Sequence, residues 1–102
     1  MHTVSIADAR QFSLKEVQDS QLLSTADIEV NLICFEAGQK HIETSHPKTM
    51  LYQVLEGEAL IQQDDISKRL GKGKILSLEA NTRHKLENAG GGLLVVMATR
   101  AL

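Results

Sequence analysis

The chain has 102 residues, of which 42% are hydrophobic and 24% are charged, and its formal net charge at pH 7 is -2. This length suits one domain with a single core, and the composition is that of a globular protein rather than a disordered chain. Lys and Arg number 11 and Asp and Glu 13, so there is no basic excess, and we expect neither nucleic acid nor membrane as a partner.

The single cysteine, Cys34, excludes an intrachain disulfide and a zinc site made of several thiolates. Because it lies in an apolar run, we expect an inert buried thiol rather than a nucleophile. The N-terminus has no basic segment followed by an apolar stretch, as a secretory signal would have. The longest apolar stretch, residues 93–98, is far shorter than the ~20 residues of a membrane-spanning helix. We therefore expect a cytoplasmic protein.

The N-terminal third has the most helix-like sequence. Residues 13–16, Ser-Leu-Lys-Glu, match a serine cap with a glutamate three residues later. Few apolar residues follow at helical spacing. The pattern predicts either one short helical turn or an extended segment packed along a sheet.

Strand signals dominate the rest of the chain. Residues 28–35 begin with alternating apolar and polar positions and end in an apolar run rich in β-formers. Further strands are predicted over residues 50–56, 58–63, 66–70, 74–78, 83–87 and 93–99. The connections are too short for helical crossovers, so the strands should be mostly antiparallel. The pattern predicts a single all-β domain over residues 1–102, either a sandwich or a barrel.

Histidines are the first candidates for chemistry, because the chain has no other obvious nucleophile or acid–base pair. There are four of them: His2, His41, His46 and His84. Alternation along residues 42–46 places Ile42, Thr44 and His46 on one face, and His41 on the other. Ile42 should lie on the buried side. We therefore expect His46 to face the interior and His41 to face outward.

The predicted strand that begins at Met50 is apolar on both faces. Met50, Tyr52 and Val54 share one face, and Leu51 and Leu55 lie on the other. One face can line the interior, and the second must pack on something else. A subunit interface is the natural candidate.

The run from Gly38 to Gly57, GQKHIETSHPKTMLYQVLEG, resembles the first motif of the cupin family, G-x5-H-x-H-x3,4-E-x6-G. The spacing between the two glycines fits this motif without a gap. The ending Val-Leu-Glu-Gly-Glu is also similar to that of cupins.

The second cupin motif, G-x5-P-x-G-x2-H-x3-N, falls on residues 73–88. Three of its positions match: Gly73, His84 and Asn88. Glu79 and Asn81 stand where proline and glycine are usual. The resemblance covers residues 28–99 and implies a single antiparallel jelly-roll (cupin) β-barrel. Cupins are commonly homodimers, so we expect residues 1–27 to pack on the barrel or on the dimer partner.

The resemblance also implies a metal site, built in cupins from two histidines and a glutamate of the first motif and a histidine of the second. In this chain those positions hold Thr44, His46, Met50 and His84. Only His46 and His84 are good ligands, because a hydroxyl and a thioether are poor partners for divalent iron, manganese or zinc. We expect a degenerate site with no certain cofactor, which at most binds a divalent transition metal weakly.

The resemblance and the strand faces together predict a mostly apolar ligand pocket in the barrel. Its expected lining is Ile42, Thr44, His46, Met50, Tyr52, His84 and Leu86. Such a pocket favours a small-molecule-binding cupin whose ligand the sequence does not identify. One alternative is a metal-dependent enzyme, a dioxygenase or isomerase, that uses His46 and His84 with a third ligand. Another is an interaction module whose barrel is filled.

Overall fold

The computed structural model describes all 102 residues and consists mainly of β-strands. One short helix, α1 (Ile6–Ala9), precedes eight strands: β1 (Gln18–Ser24), β2 (Ile28–Phe35), β3 (Met50–Glu56), β4 (Glu58–Gln63), β5 (Ile66–Gly71), β6 (Ile75–Leu78), β7 (Lys85–Asn88) and β8 (Leu94–Ala101). The all-β class predicted from the sequence is confirmed. No helix has the length and apolar character needed to cross a membrane.

The strands form two antiparallel sheets that face each other. The larger sheet has the order β1-β2-β8-β3-β6, and the smaller has the order β5-β4-β7. This arrangement is the predicted jelly-roll barrel. Its core lies between the sheets and contains thirteen buried residues: Ile33, Phe35, Met50, Tyr52, Val54, Ala59, Ile61, Leu70, Leu78, Leu86, Leu94, Val96 and Ala98.

In the N-terminal third, the structure differs from one of the two predicted alternatives and matches the other. The helical turn lies at α1, where the Ser5 hydroxyl accepts a hydrogen bond from the Asp8 amide, and not at residues 13–16. The extended segment along a sheet, the second predicted alternative, is what the structure has, although its bounds were not predicted: β1 pairs with residues 29–34 of β2. A bulge between Gln21 and Leu23 interrupts its register. That bulge removes the alternation by which a strand is recognised in sequence.

A second, smaller cluster covers the outward face of the larger sheet. Three side chains are buried there: Leu32, Cys34 and Val95. Ala9 and Phe12 of the N-terminal segment pack against them, and Arg10 forms an ion pair with Glu56 of β3. The N-terminal segment thus covers part of the outward face of its own barrel.

Four residues of the motifs have the left-handed backbone conformation: Gly38, Gly57, Gly73 and Asn81. Gly57, between β3 and β4, has a φ of +84°, and a Cβ there would lie 2.2 Å from the carbonyl oxygen of Leu93. Asn81 has a φ of +64° at the position where the second motif usually has glycine. Asparagine is one of the few other residues that adopt this conformation readily. The turn keeps its shape although the residue differs.

Candidate functional site

The centre of the candidate site is a hydrogen-bonded pair in the barrel interior, Tyr52 of β3 and His84, which precedes β7. His84 is 2% exposed. Its Nε2 lies 2.8 Å from the Tyr52 hydroxyl, and its Nδ1 lies 2.9 Å from the carbonyl oxygen of Thr82. A carbonyl oxygen only accepts, so Nδ1 carries the proton and Nε2 accepts from the tyrosine. Both ring nitrogens of His84 are therefore engaged.

Burial determines the charge state of this pair. Burial lowers the pKa of His84, and this effect is larger than the opposite effect of the hydrogen bond to Thr82. It also raises the pKa of Tyr52 to about 12, although Arg100 acts in the opposite direction. At neutral pH the phenol is protonated and the imidazole is uncharged, which is the arrangement that the hydrogen bond requires.

Arg100 supplies a positive charge close to this pair. It follows Ala98 on the inward side of β8, and in the register it lies opposite Glu29 of β2 and Met50 of β3. It is half-buried and has no carboxylate within ion-pair distance. Its charge lowers the pKa of His84 and of Tyr52, but less than burial shifts either group.

A second polar group lies beside the first, where β1 meets the segment after β2. Asp19 accepts a hydrogen bond of 2.8 Å from Nδ2 of Asn31, and its other carboxylate oxygen lies 3.4 Å from Nε2 of His41. The hydrogen bond to His41 is the main reason that the pKa of Asp19 lies below its usual value. Oδ1 of Asn31 is buried without a partner.

The inward orientation of His41 comes from a bulge in the segment at residues 40–44. This segment forms two isolated bridges, one between Lys40 and Glu87 of β7 and one between Thr44 and His84, the residue before β7. From one bridge to the other, the segment runs four residues, from 40 to 44, whereas the opposite part of the chain runs three, from 84 to 87. One extra residue reverses the alternation of side chains.

The predicted orientations of His41 and Ile42 are consequently wrong. The His41 side chain is 19% exposed and lies near the ring of Phe35. Ile42, expected on the buried side, is 76% exposed. The expectation assumed a regular strand, whereas the structure has a bulge.

The seven residues predicted to line the pocket fall into two groups. Four are buried in the barrel: Met50, Tyr52, His84 and Leu86. The other three lie at its margin. Thr44 is joined to His84 by backbone hydrogen bonds, and Ile42 points to solvent. His46 donates from Nε2 to the carbonyl oxygen of Ala101, at 2.6 Å. No hydrogen bond joins His46 to His84.

The largest cleft lies outside the barrel. It has a volume of about 380 Å³ and is lined by Glu43, Gln62, Asp64, Arg83, His84 and Lys85. Gln62 and Lys85 alternate along their strands with the buried Ile61 and Leu86, so they belong to the outward face of the smaller sheet. Of the seven predicted residues, this cleft includes only His84. The apolar opening into the barrel is a smaller gap between β5 and β6.

Three residues of the polar interior were missed by the sequence interpretation, namely Asp19, Asn31 and Arg100, and a fourth, His41, was considered but placed on the outward face. Asn31 and Arg100 did carry a signal. Arg100 shares the inward face of β8 with apolar residues only, and Asn31 shares that of β2 with the buried Ile33 and Phe35. Asp19 had no such signal, because the bounds and the register of its strand were not predicted.

Comparison with known proteins agrees with this architecture. The family model for the cupin domain matches residues 31–99, more than half of the chain. The chain belongs to the cupin family. No curated protein matches its sequence.

Solved cupin structures share the fold at low sequence identity. A cupin superfamily protein from Desulfitobacterium hafniense DCB-2 has a TM-score of 0.84 and 22% identity, over 99% of this chain and 91% of that chain. An uncharacterized conserved protein with a double-stranded β-helix domain from Klebsiella pneumoniae has a TM-score of 0.90 and 24% identity, over 99% and 90%. An RmlC-like cupin from Desulfovibrio desulfuricans has a TM-score of 0.82 and 21% identity, over 96% and 95%. These likenesses show the fold.

The residues at the cupin metal positions do not fit a divalent metal ion. Thr44 and Met50 provide no anionic or imidazole ligand, and both nitrogens of His84 are engaged. Nowhere in the structure do three or more His, Cys, Asp or Glu side chains gather in a group that could hold a metal ion. No third ligand therefore accompanies His46 and His84.

Proposed function

We propose that this cupin binds a small organic molecule in its barrel and has no working version of the family's divalent-metal site. The observation that carries the proposal is the hydrogen bonding of His84. A metal ion at Nε2 would displace the Tyr52 hydroxyl, which is buried. Leaving a buried hydroxyl without a partner costs about 1–3 kcal/mol, and the other cupin metal positions offer no carboxylate in return.

The barrel interior has the chemical character of a small-molecule site. Met50 and Leu86 are apolar residues of this interior, and Tyr52, His84 and Arg100 bring polar groups to the same inward faces. Apolar walls with a few convergent polar groups are typical of such sites. Arg100 adds a positive charge to this interior, and that charge also lowers the pKa of the nearby Asp19.

We assign no reaction to this site. A general acid or base works best when its pKa is close to the working pH. The pKa of Tyr52 is about 12, and burial lowers the pKa of His84 while both of its nitrogens are engaged. The pair is suited to holding a ligand in a defined orientation rather than to exchanging protons with it.

Metal binding tests this proposal directly. Protein purified without an affinity tag is analysed for bound metals, and its thermal unfolding is measured with added manganese, iron and zinc. We expect little change in the melting temperature of the wild type. The double variant Thr44→His/Met50→Glu restores three imidazoles and one carboxylate, and metal should raise its melting temperature by mass action.

A stoichiometric metal in the wild type would contradict the proposal. The decisive result is a metal ion that His84→Ala no longer binds and that His2→Ala still binds. His2 is a suitable control because it is exposed at the N-terminus. That result would favour the metal-dependent enzyme. Native mass spectrometry of the same untagged protein searches for a co-purified organic ligand, which the proposal expects.

A further inference from the structure

The barrel is open between β5 and β6, because these two edge strands belong to different sheets. A gap of about 140 Å³ lies there, lined by Ile61, Gln63, Ile66, Lys68, Leu76, Ser77 and Leu78. Ile61 and Leu78 are core residues, so the gap leads into the interior. In the register of β3 and β6, Leu76 lies opposite Tyr52 and Leu78 opposite Met50. The gap therefore adjoins the site proposed above.

Ile66 is an apolar residue that the protein leaves uncovered on an inward face. It shares that face of β5 with Lys68 and with the buried Leu70. Ile66 is nevertheless 70% exposed, because no strand lies across this part of β5. Burying its side chain would remove apolar surface from water, so an apolar group entering the gap would gain binding energy here.

Lys68 gives the gap a positive charge. It lies opposite Ile61 in the pairing of β4 with β5 and points to the same side as Ile66. It takes part in none of the five ion pairs of the structure. The gap has no acidic lining residue, and its other polar groups are the Gln63 amide and the Ser77 hydroxyl. An anion is the complementary ligand.

We propose that this gap is a binding site for a small organic carboxylate, with its apolar part between Ile66, Leu76 and Leu78 and its carboxylate at Lys68. The size of the gap limits the apolar part, since an apolar cavity of about 150 Å³ accommodates benzene. A benzene ring or a short branched chain fits these dimensions. The inference rests on the proposed function, to which it adds a ligand class and a location.

Benzoate is the probe for this site, and benzyl alcohol is its uncharged counterpart. The full chain, labelled at its isoleucine and leucine methyl groups, is titrated with each probe and followed by NMR. We expect benzoate to bind saturably and more tightly than benzyl alcohol. The methyl signals of Ile66, Leu76 and Leu78 should shift most.

Three variants separate the contributions of charge and apolar surface. Lys68→Gln should weaken benzoate binding by about threefold to tenfold, the range of one charge-assisted hydrogen bond at a partly open site, and leave benzyl alcohol binding unchanged. Ile66→Ser should weaken the binding of both probes. Lys72→Gln, in the exposed turn after β5, should change neither. All three positions are exposed, so the variants should fold, which their thermal unfolding verifies.

Several results would overturn the inference. One is unsaturable benzoate binding, and a second is equal affinity for the two probes. A third is equal benzoate affinity of Lys68→Gln and Lys72→Gln. A fourth is an intersubunit NOE to the Ile66 methyl groups in the ligand-free protein, which would mean that a second copy of the chain fills the gap. Stoichiometric metal in the wild type would instead contradict the proposed function, so the two failures are distinguishable.

Discussion

Tyr52 and His84 are 32 positions apart in the chain, and a hydrogen bond of 2.8 Å joins them inside the barrel. Their rings meet edge to face, with centroids 5.4 Å apart. The contact connects the larger sheet, through β3, with the residue that leads into the smaller sheet at β7. It therefore combines a structural role with a place in the proposed ligand site.

Removing the hydroxyl of this pair should destabilise the fold. Tyr52→Phe keeps the ring but leaves Nε2 of His84 buried without a donor, so we expect a loss of about 1–3 kcal/mol in the free energy of unfolding. The double variant Tyr52→Phe/His84→Leu should lose less than the sum of the two single variants. Urea denaturation gives the free energy of unfolding of the wild type, the two single variants and the double variant. Strict additivity would mean that the hydrogen bond contributes nothing to stability.

His84 should also make the fold sensitive to mild acid. Its folded pKa is lowered mainly by burial, so its contribution to stability is complete above the unfolded pKa of about 6.5. This contribution to the free energy of unfolding is lost as the pH falls below that value, because the unfolded chain then binds a proton that the native state does not bind. The loss is at most about 1.4 kcal/mol per pH unit. The lowered pKa of Asp19 acts in the same direction, but only near and below its unfolded value of about 3.9.

The measurement is urea unfolding at a series of pH values from about 7 to about 5, the window in which His84 titrates in the unfolded chain. His84→Leu should flatten the pH dependence, whereas His2→Leu should retain it. The slope is the readout, so the assay works even if His84→Leu is less stable overall. Equal slopes in the wild type and His84→Leu would show that another group is responsible.

Cys34 should react slowly with thiol reagents while the protein is folded. It is 2% exposed beneath the N-terminal segment, and burial raises the pKa of its thiol, which lowers the reactive thiolate fraction. Phe12→Ala should speed the reaction by loosening the cover. Leu14→Ala is the matched control, because Leu14 belongs to the same segment and is largely exposed. Rapid labelling of the folded wild type would contradict this account.

We expect a homodimer formed through the part of the larger sheet that the N-terminal segment leaves open. Leu51 and Ile75 lie on its outward face and are 39% and 63% exposed. Leu51→Glu should shift the association equilibrium towards monomer, since the interface would bury an unpaired charge. Ile42→Glu places the same charge on an exposed loop and should have no such effect. Sedimentation equilibrium that finds only an 11.2 kDa species in the micromolar range would refute the expectation.

The strands and turns were predictable because they depend on neighbouring residues. The alternation in Ile28–Phe35 and Met50–Glu56 identifies the strands and their buried faces, and Gly57 marks a turn that no side chain fits. The exception is β1, in which a bulge and two successive leucines hide the alternation. When the register of a strand is set by its partner, the strand's own sequence shows only a weak alternation of apolar and polar residues.

Apolar alternation, which acts between neighbouring residues, predicted the strands and left a sandwich or a barrel open, and the resemblance to the two cupin motifs selected the barrel. It also determined that Thr44 and Met50 stand at positions where cupins have metal ligands. The orientations and contacts of the histidines depend instead on pairings between distant parts of the chain. Pairing with β7 inserts the extra residue that turns His41 inward and Ile42 outward, and Tyr52 meets His84 only when the two sheets close over each other. Side-chain alternation has a period of two, so one residue inserted by a distant pairing reverses every orientation beyond it.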